Sequence, residues 1–268
     1  MAVKIYTIGG GQMSEAILRA ANKEKVITSE ETIITDISKV RTEYLEKKYG
    51  FQTSNKFDEK AVVNAEIVLL GVRPQDDWQG LVKQIGLTNT KAQIISIIAG
   101  VTLQQLQTIS ENENIKFTRI IPNTLTDTGY GYSGVALGRG ASKEIIAPFV
   151  ESFGKADFIP EKQIDVYTGY AVCGPNYVYN FYLALTNAGV LAGLSRQQAN
   201  KIALENIKGS VAFLESTGKH PYELLDINNS AGGCGITLQH EIDSSTFAAG
   251  IQNAVVAAVR RTAELGKE

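Results

Sequence analysis

Residues 4–16 constrain this chain most: the run Lys-Ile-Tyr-Thr-Ile meets three successive glycines and then a helical pattern. A strand that ends in glycine and turns straight into a helix exposes backbone N–H groups with no side chain in the way. A pyrophosphate approaching a helix N-terminus requires such a turn. Gly9 is expected to make the tight turn and Gly11 the close approach, with Gln12 and Met13 completing the cofactor loop. The third small position of the G-x-G-x-x-G pattern holds Ser14 in place of glycine or alanine. A glycine-rich turn in another kind of α/β protein would share the glycines without needing the strand before and the helix after. The spacing predicts a dinucleotide-binding βαβ unit.

With 268 residues the chain is long enough to bury a large core and to divide into two domains. Its formal net charge of −2 and the lack of any Lys/Arg run argue against nucleic acid and acidic membrane surfaces as partners. No apolar stretch reaches the length that spans a bilayer, and the opening Met1-Ala2-Val3-Lys4 lacks the features of a secretion signal. A soluble, cytoplasmic protein is expected. Two cysteines, Cys173 and Cys234, are too few for a disulfide framework, and with His220 and His240 as the only histidines no metal centre is expected.

Through residue 158 short β-branched runs alternate with helical stretches, the rhythm of βαβ units on a parallel sheet covered on both faces. Residues 4–8, 33–35, 66–72, 93–98, 117–121 and 134–137 read as strands. From about residue 165 the chain turns to Ala- and Leu-rich segments, with helices expected over 178–192, 196–215 and 246–265. The expected fold is α/β, with an N-terminal Rossmann-type doubly wound domain over residues 1–160 and an all-α domain over 161–268. Pro160 and its charged neighbours mark the boundary.

Asp36 follows the second strand, where a dinucleotide fold places the group that meets the adenosine ribose. A carboxylate there accepts from the ribose hydroxyls and repels a 2′-phosphate, which favours NADH over NADPH. Ser38, Lys39 and Arg41 just downstream would receive a phosphate if the loop folded back, and Asp36 would also serve as a helix N-cap. Val72, Arg73 and Pro74 lie at the carboxyl edge of the sheet, where open parallel sheets bind ligands. Arg73 there either touches cofactor or caps the sheet. Asn123, in Ile121-Pro122-Asn123-Thr124, suits a nicotinamide or ribose edge as well as a turn. In the helical half two turns precede helices, Cys173-Gly174-Pro175-Asn176-Tyr177 and residues 228–235; their N–H groups would bind a carboxylate or serve only as caps.

The pieces Gly9-Gly10-Gly11-Gln12-Met13, Val72-Arg73-Pro74, Ala99-Gly100-Val101 and Arg119-Ile120-Ile121-Pro122-Asn123-Thr124 occur in that order in the first half. Gly174-Pro175 with Tyr177, Ala188-Gly189-Val190, His220-Pro221 and Ser230 with Gly232-Gly233 follow in the second. In order and spacing they resemble the pyrroline-5-carboxylate reductase family over essentially the whole chain. The resemblance implies a Rossmann domain followed by a helical domain that interleaves with a partner in a homodimer, with dimers able to assemble further. It places the active site between one subunit's cofactor and helices of the dimer. The implied chemistry is hydride transfer from NADH or NADPH to the C=N carbon of a cyclic imine, yielding L-proline from 1-pyrroline-5-carboxylate. It adds Ala99 and Gly100 to the cofactor set. It assigns Ser230, Gly232, Gly233, Cys234 and Gly235, with Cys173, to the substrate.

Two substrate-facing turns depart from the family pattern. Where the family reads Ser-Pro-Gly-Gly-x-Thr, this chain has Ser230-Ala231-Gly232-Gly233-Cys234-Gly235, so Gly235 replaces the threonine expected near the imine nitrogen and no catalytic proton donor is assigned. Ser-Gly-Ser-Gly-Pro-Ala-Tyr becomes Ala171-Val172-Cys173-Gly174-Pro175-Asn176-Tyr177. Either the chain is an ordinary proline-forming reductase with water in the threonine's place, or it is a paralogue for another cyclic imino acid. In the second case Cys173, Asn176 and Gly235 reshape the pocket, and a bulkier substrate suits the lost side chain. Thr237 would substitute only if the loop shifted. A dinucleotide-binding protein without catalysis is a third reading, resting on the same missing threonine. The cysteines are expected as small buried side chains, and Tyr177, Tyr179, Phe181 and Tyr182 as core and interface aromatics. His220 reads as a turn residue and His240 as a helix-surface one.

Overall fold

The computed structural model describes residues 3–265. They form two compact units: one runs to Cys173 and includes the chain from Ala257 on, the other spans Gly174–Val256.

The first unit is built on strands β1 (Val3–Ile8), β2 (Thr32–Thr35), β3 (Gln52–Ser54), β4 (Ala65–Leu70), β5 (Gln93–Ser96), β6 (Lys116–Ile121), β7 (Tyr132–Leu137) and β8 (Lys155–Phe158). They form one sheet in the order β3-β2-β1-β4-β5-β6-β7-β8. The six strands from β3 to β6 are parallel, β7 runs antiparallel to β6, and β8 lies parallel to β7. Alternate residues of the central strands feed opposite cores. Ile5, Ile34, Leu69 and Ile95 pack with Ile17 and Leu18 on one face. Tyr6, Val68, Leu70 and Ile94 pack with Val82 and Ile85 on the other. This double burial is why the strands read as continuous apolar runs.

Among the described residues seven α-helices lie wholly in this unit: α1 (Gln12–Lys23), α2 (Lys39–Tyr49), α3 (Glu59–Asn64), α4 (Trp78–Gly86), α5 (Leu103–Ser110), α6 (Lys143–Glu151) and α7 (Ile164–Tyr167). Side-chain caps start four of them: Ser38 for α2, Asp58 for α3, Asp77 for α4 and, with Gln105, Thr102 for α5.

Two strands lie outside the sequence expectation. Gln52–Ser54 and Lys155–Phe158 are sheet edges, short and no more than half-buried, so they carry no apolar run. The strands expected over 66–72 and 93–98 end earlier, at Leu70 and Ser96. Compactness divides the chain at Cys173 rather than at residue 160, because residues after Pro160 stay packed on the sheet. Ile164 is buried with Ile121 and Ala136. The buried Arg119 reaches Glu161 at 3.4 Å and Asp165 at 3.8 Å. Asp157 accepts from the hydroxyls of Tyr167 at 2.5 Å and Tyr132 at 3.1 Å. That carboxylate pushes the Tyr167 phenol up to about 12.

The second unit is helical: α8 (Gly174–Leu191), α9 (Arg196–Thr217), α10 (Pro221–Asn228), α11 (Cys234–Asp243) and the start of α12 (Phe247–Leu265). α10 was not anticipated, although His220 and Glu223 form a capping box around it with Pro221 in its first turn. Among the described residues of this unit the buried apolar side chains are few, Pro175, Ala199, Ala203 and Leu224. Tyr179, Leu183, Ile227 and Leu238 are each more than half exposed. The aromatics of α8 are therefore not core residues within this chain.

Candidate active site

Gly9 ends β1 with φ +96°, and a Cβ there would lie 2.7 Å from the Gly71 carbonyl oxygen just past β4. Only glycine permits this crossing of neighbouring strands at the point where the strand order reverses. A Cβ on Gly71 would in turn meet Ser14 Oγ at 2.2 Å. Ser14 is fully buried, with its hydroxyl unpartnered among the described residues, so it fills the third small position as a packing residue. Gly11 is the N-cap of α1 and makes no side-chain cap; a Cβ there would meet nothing within 4 Å. The first N–H groups of α1, from Gln12 and Met13, are left without intrahelical partners and suit a pyrophosphate.

The β2–α2 loop holds the glycine loop from both sides. Asp36 accepts from Gly10 N and from Ser38 N, each at 2.8 Å. Ser38, not Asp36, is the α2 cap. Arg41 donates to the carbonyls of Gly10 and Gly11 and pairs with Glu15. Glu15, with a side chain 5% exposed, also accepts from Arg19 at 3.1 Å, Tyr49 at 2.6 Å, Tyr44 at 3.2 Å and Lys48 at 3.4 Å. Burial alone would raise its pKa, but the hydrogen bonds from Tyr49 and Arg41 and the Arg41 charge outweigh it and hold the carboxyl at about 2.

A carboxylate depressed in the native state stabilises it above the unfolded pKa, and the contribution fades as pH falls from about 4.5 toward about 2. The expected size is roughly 2–3 kcal/mol. Glu15→Gln should lack that acid slope and be less stable at neutral pH by a similar amount. Denaturant unfolding measured from pH 2 to 7 checks this; parallel curves for the two proteins would refute it.

A groove of about 610 Å³ opens at this edge, lined among others by Gly9, Gly11, Asp36, Ser38, Val72 and Arg73. Arg73 is exposed and held at the rim by Asp76, to which it donates from Nη2 at 2.8 Å and Nε at 3.2 Å. Pro74, Ala99, Gly100 and Asn123 are not among its lining residues. Asn123 is buried and its carboxamide is occupied: Oδ1 accepts from Leu125 N at 3.1 Å and Tyr132 N at 3.3 Å, and Nδ2 donates to Ala171 O. Of its two sequence readings, the turn describes these contacts. Glu15 is the residue that sequence reasoning missed here, and Arg41, read as a receiver for a phosphate, is turned onto Glu15 and the glycine-loop carbonyls. Only the Glu15–Arg19 spacing on α1 signals the cluster, since the other partners lie far along the chain.

In the second unit, Gly233 N donates to Ser230 O at 3.0 Å and Gly232 sits at φ +68°, a tight turn that delivers the chain into α11. Gly233 caps α11 without a side chain, so the N–H groups of Cys234, Gly235 and Ile236 open the helix free. Position 235 is not vacant. A Cβ there would lie 2.3 Å from the Asn228 carbonyl oxygen and 2.8 Å from Asn229 Oδ1. The expectation that a bulkier substrate exploits the missing side chain is thereby corrected, because the chain's own backbone takes the room. Thr237 does not substitute either; its hydroxyl donates to Gly233 O at 3.1 Å within α11. Cys173 is half-buried at the end of the first unit and Cys234 is exposed, so neither is the small buried side chain expected.

Residues 161–265 match the family described as pyrroline-5-carboxylate reductase dimerisation. Residues 4–100 match the one described as NADP oxidoreductase, coenzyme F420-dependent. The pyrroline-5-carboxylate reductase of Synechocystis is 35% identical, with 100% of each chain covered. The chain belongs to the pyrroline-5-carboxylate reductase family. The Arabidopsis thaliana member is 32% identical, covering 98% of this chain and 96% of its own. The pyrroline carboxylate reductase of Plasmodium falciparum, solved with NADP bound, superimposes with a TM-score of 0.86 at 26% identity, over 98% of each chain. Family membership agrees with the Rossmann-type and helical halves read from the sequence. It makes the chain an NAD(P)H-dependent oxidoreductase acting on a C=N bond. Among the described residues no helix is long and apolar enough to cross a membrane.

Proposed function

We propose that this chain reduces 1-pyrroline-5-carboxylate to L-proline with a reduced nicotinamide dinucleotide, as a cytoplasmic homodimer. The observation that carries the reading is the glycine crossing at Gly9 and Gly71, with the uncapped N-terminus of α1 opening beside it. The bound dinucleotide supplies the hydride. The chain's own part is to hold, orient and polarise. Gly11, Gln12 and Met13 offer N–H groups to the pyrophosphate, and Val72 and Arg73 line the groove beyond them. The dimerisation and substrate-binding part is the helical one, whose family match covers residues 161–265. There Ser230 and the N–H groups of Cys234 and Gly235 meet the substrate carboxylate.

NADH is the preferred dinucleotide. Asp36 lines the groove, and each of its oxygens retains a lone pair for a ribose hydroxyl after accepting from the backbone. The cations that would welcome a 2′-phosphate are engaged elsewhere, Arg41 with Glu15 and Lys39 with Glu43 at 3.6 Å. The homodimer accounts for the exposed apolar side chains of α8, α10 and α11, which so few buried side chains cannot cover.

The test is oxidation of NADH and of NADPH, separately, with 1-pyrroline-5-carboxylate. Turnover with kcat/KM about tenfold higher for NADH is expected, the value of roughly one carboxylate–hydroxyl hydrogen bond. A preference for NADPH would overturn the cofactor assignment, and no turnover with either would overturn the substrate.

A further inference from the structure

The turn between α10 and α11 folds back over the first turn of α11. The Asn228 carbonyl and the Asn229 carboxamide occupy the volume where a side chain at 235 would begin, with Asn229 Oδ1 2.8 Å from that Cβ position. Two neighbouring polar side chains are engaged within their own helices. Asn228 Nδ2 donates to Leu224 O at 3.3 Å, and the Thr237 hydroxyl is turned onto Gly233 O. The Asn229 carboxamide is half-buried and makes no hydrogen bond among the described residues. A carboxamide held against a helix entry with its oxygen free is an acceptor waiting for a donor.

We propose that Asn229 supplies the polar contact to the ring nitrogen of the substrate that Gly235 cannot. The inference rests on the reading of residues 230–235 as the substrate loop. A cyclic imine accepts hydride at carbon when its nitrogen is protonated, and the resulting N–H needs an acceptor at the moment of transfer. Asn229 Oδ1 provides one without adding a charge that would repel the substrate carboxylate. In the step, hydride forms a new C–H bond at the imine carbon and the dinucleotide is oxidised. The C=N π pair becomes the nitrogen lone pair, the N–H stays in place, and the neutral amine then takes a proton from water. The polar group thus comes from the end of α10 instead of the first turn of α11.

The test compares two ligands of the same shape, L-proline and tetrahydrofuran-2-carboxylate, which keeps the carboxylate and replaces the ring N–H by oxygen. Their binding to the full chain in the presence of oxidised dinucleotide is measured by calorimetry. Wild type should prefer proline about tenfold, the value of one hydrogen bond. Asn229→Ala should bind both alike, leave the affinity for the oxygen analogue unchanged and lower kcat/KM for the imine about tenfold. Asn229→Asp keeps an acceptor and adds charge. It should raise the pKa of the bound protonated imine, so the high-pH limb of kcat moves upward, a shift that a merely structural role would not produce. An Asn229→Ala protein that retains the preference for proline, or an unmoved limb in Asn229→Asp, would overturn the proposal. Failure of wild type to reduce the imine would strike the functional reading instead, while the ligand comparison would still decide on Asn229.

Discussion

Gly9→Ala is expected to cost roughly 2–5 kcal/mol of stability and to abolish dinucleotide binding. Two effects add. A non-glycine residue at φ +96° is held in a conformation that costs about 1–2 kcal/mol. Its Cβ would also stand 2.7 Å from the Gly71 carbonyl oxygen and 2.8 Å from its carbon, which are backbone atoms that cannot rotate away. Gly71 is itself tied back to β1, its N–H donating to Ile8 O at 2.8 Å, so relief requires the two central strands to part. Overpacking of that kind adds about 1–3 kcal/mol.

Gly11→Ala is the informative control, because a Cβ there meets nothing within 4 Å. It should fold as wild type does, within about 0.5 kcal/mol, yet bind dinucleotide poorly, since on the proposed reading the new methyl projects where phosphate oxygens approach. Denaturant unfolding and dinucleotide titration of the two variants separate the glycine that shapes the sheet from the glycine that admits the ligand. Equal stability of Gly9→Ala and wild type would refute the argument.

These two glycines were legible in the sequence because their roles belong to the backbone. A turn after an apolar strand and a helix entry facing a phosphate impose the same requirement wherever they occur. The central strands were legible for a similar reason: Ile67, Val68, Leu69 and Leu70 alternate between two cores, and a strand buried on both faces has no polar side to obscure it. The edge strands β3 and β8 lacked that signature. Less legible still was anything made by residues distant in sequence. The carboxylate of Glu15 owes its state to Tyr49, Arg41 and Lys48 across the β1–α1–β2–α2 unit, and no local pattern announces it. Asp36 lines the groove, and its hold on Gly10 and Ser38 depends on how the loop closes. Gly235 is the sharpest case. Read as a position, it is a lost side chain; read in space, it is a position that residues 228 and 229 have filled.

Restoring the family's threonine therefore separates the two readings of that loop, and Gly235→Thr is expected to lower kcat/KM for the imine by at least about 100-fold instead of raising it. The Cβ alone would sit 2.3 Å from the Asn228 carbonyl oxygen and 3.2 Å from its carbon. Asn228 is the last residue of α10, so its carbonyl cannot move without unwinding that helix end. A displaced turn would withdraw Ser230 and the α11 N–H groups from the carboxylate they are proposed to bind, and about 3 kcal/mol of lost positioning corresponds to the stated loss. Gly235→Ala, which adds only the clashing carbon, should lose nearly as much, showing that crowding and not the hydroxyl is responsible. Asn229→Ala combined with Gly235→Thr removes the flexible neighbour but leaves the backbone carbonyl, and should not recover activity. Steady-state kinetics of these variants, with thermal melts to confirm that each is folded, decides the matter. If Gly235→Thr is as active as wild type or better, the turn yields to a side chain. The loop would then be an ordinary substrate loop with one hydroxyl missing, and water would be filling its place.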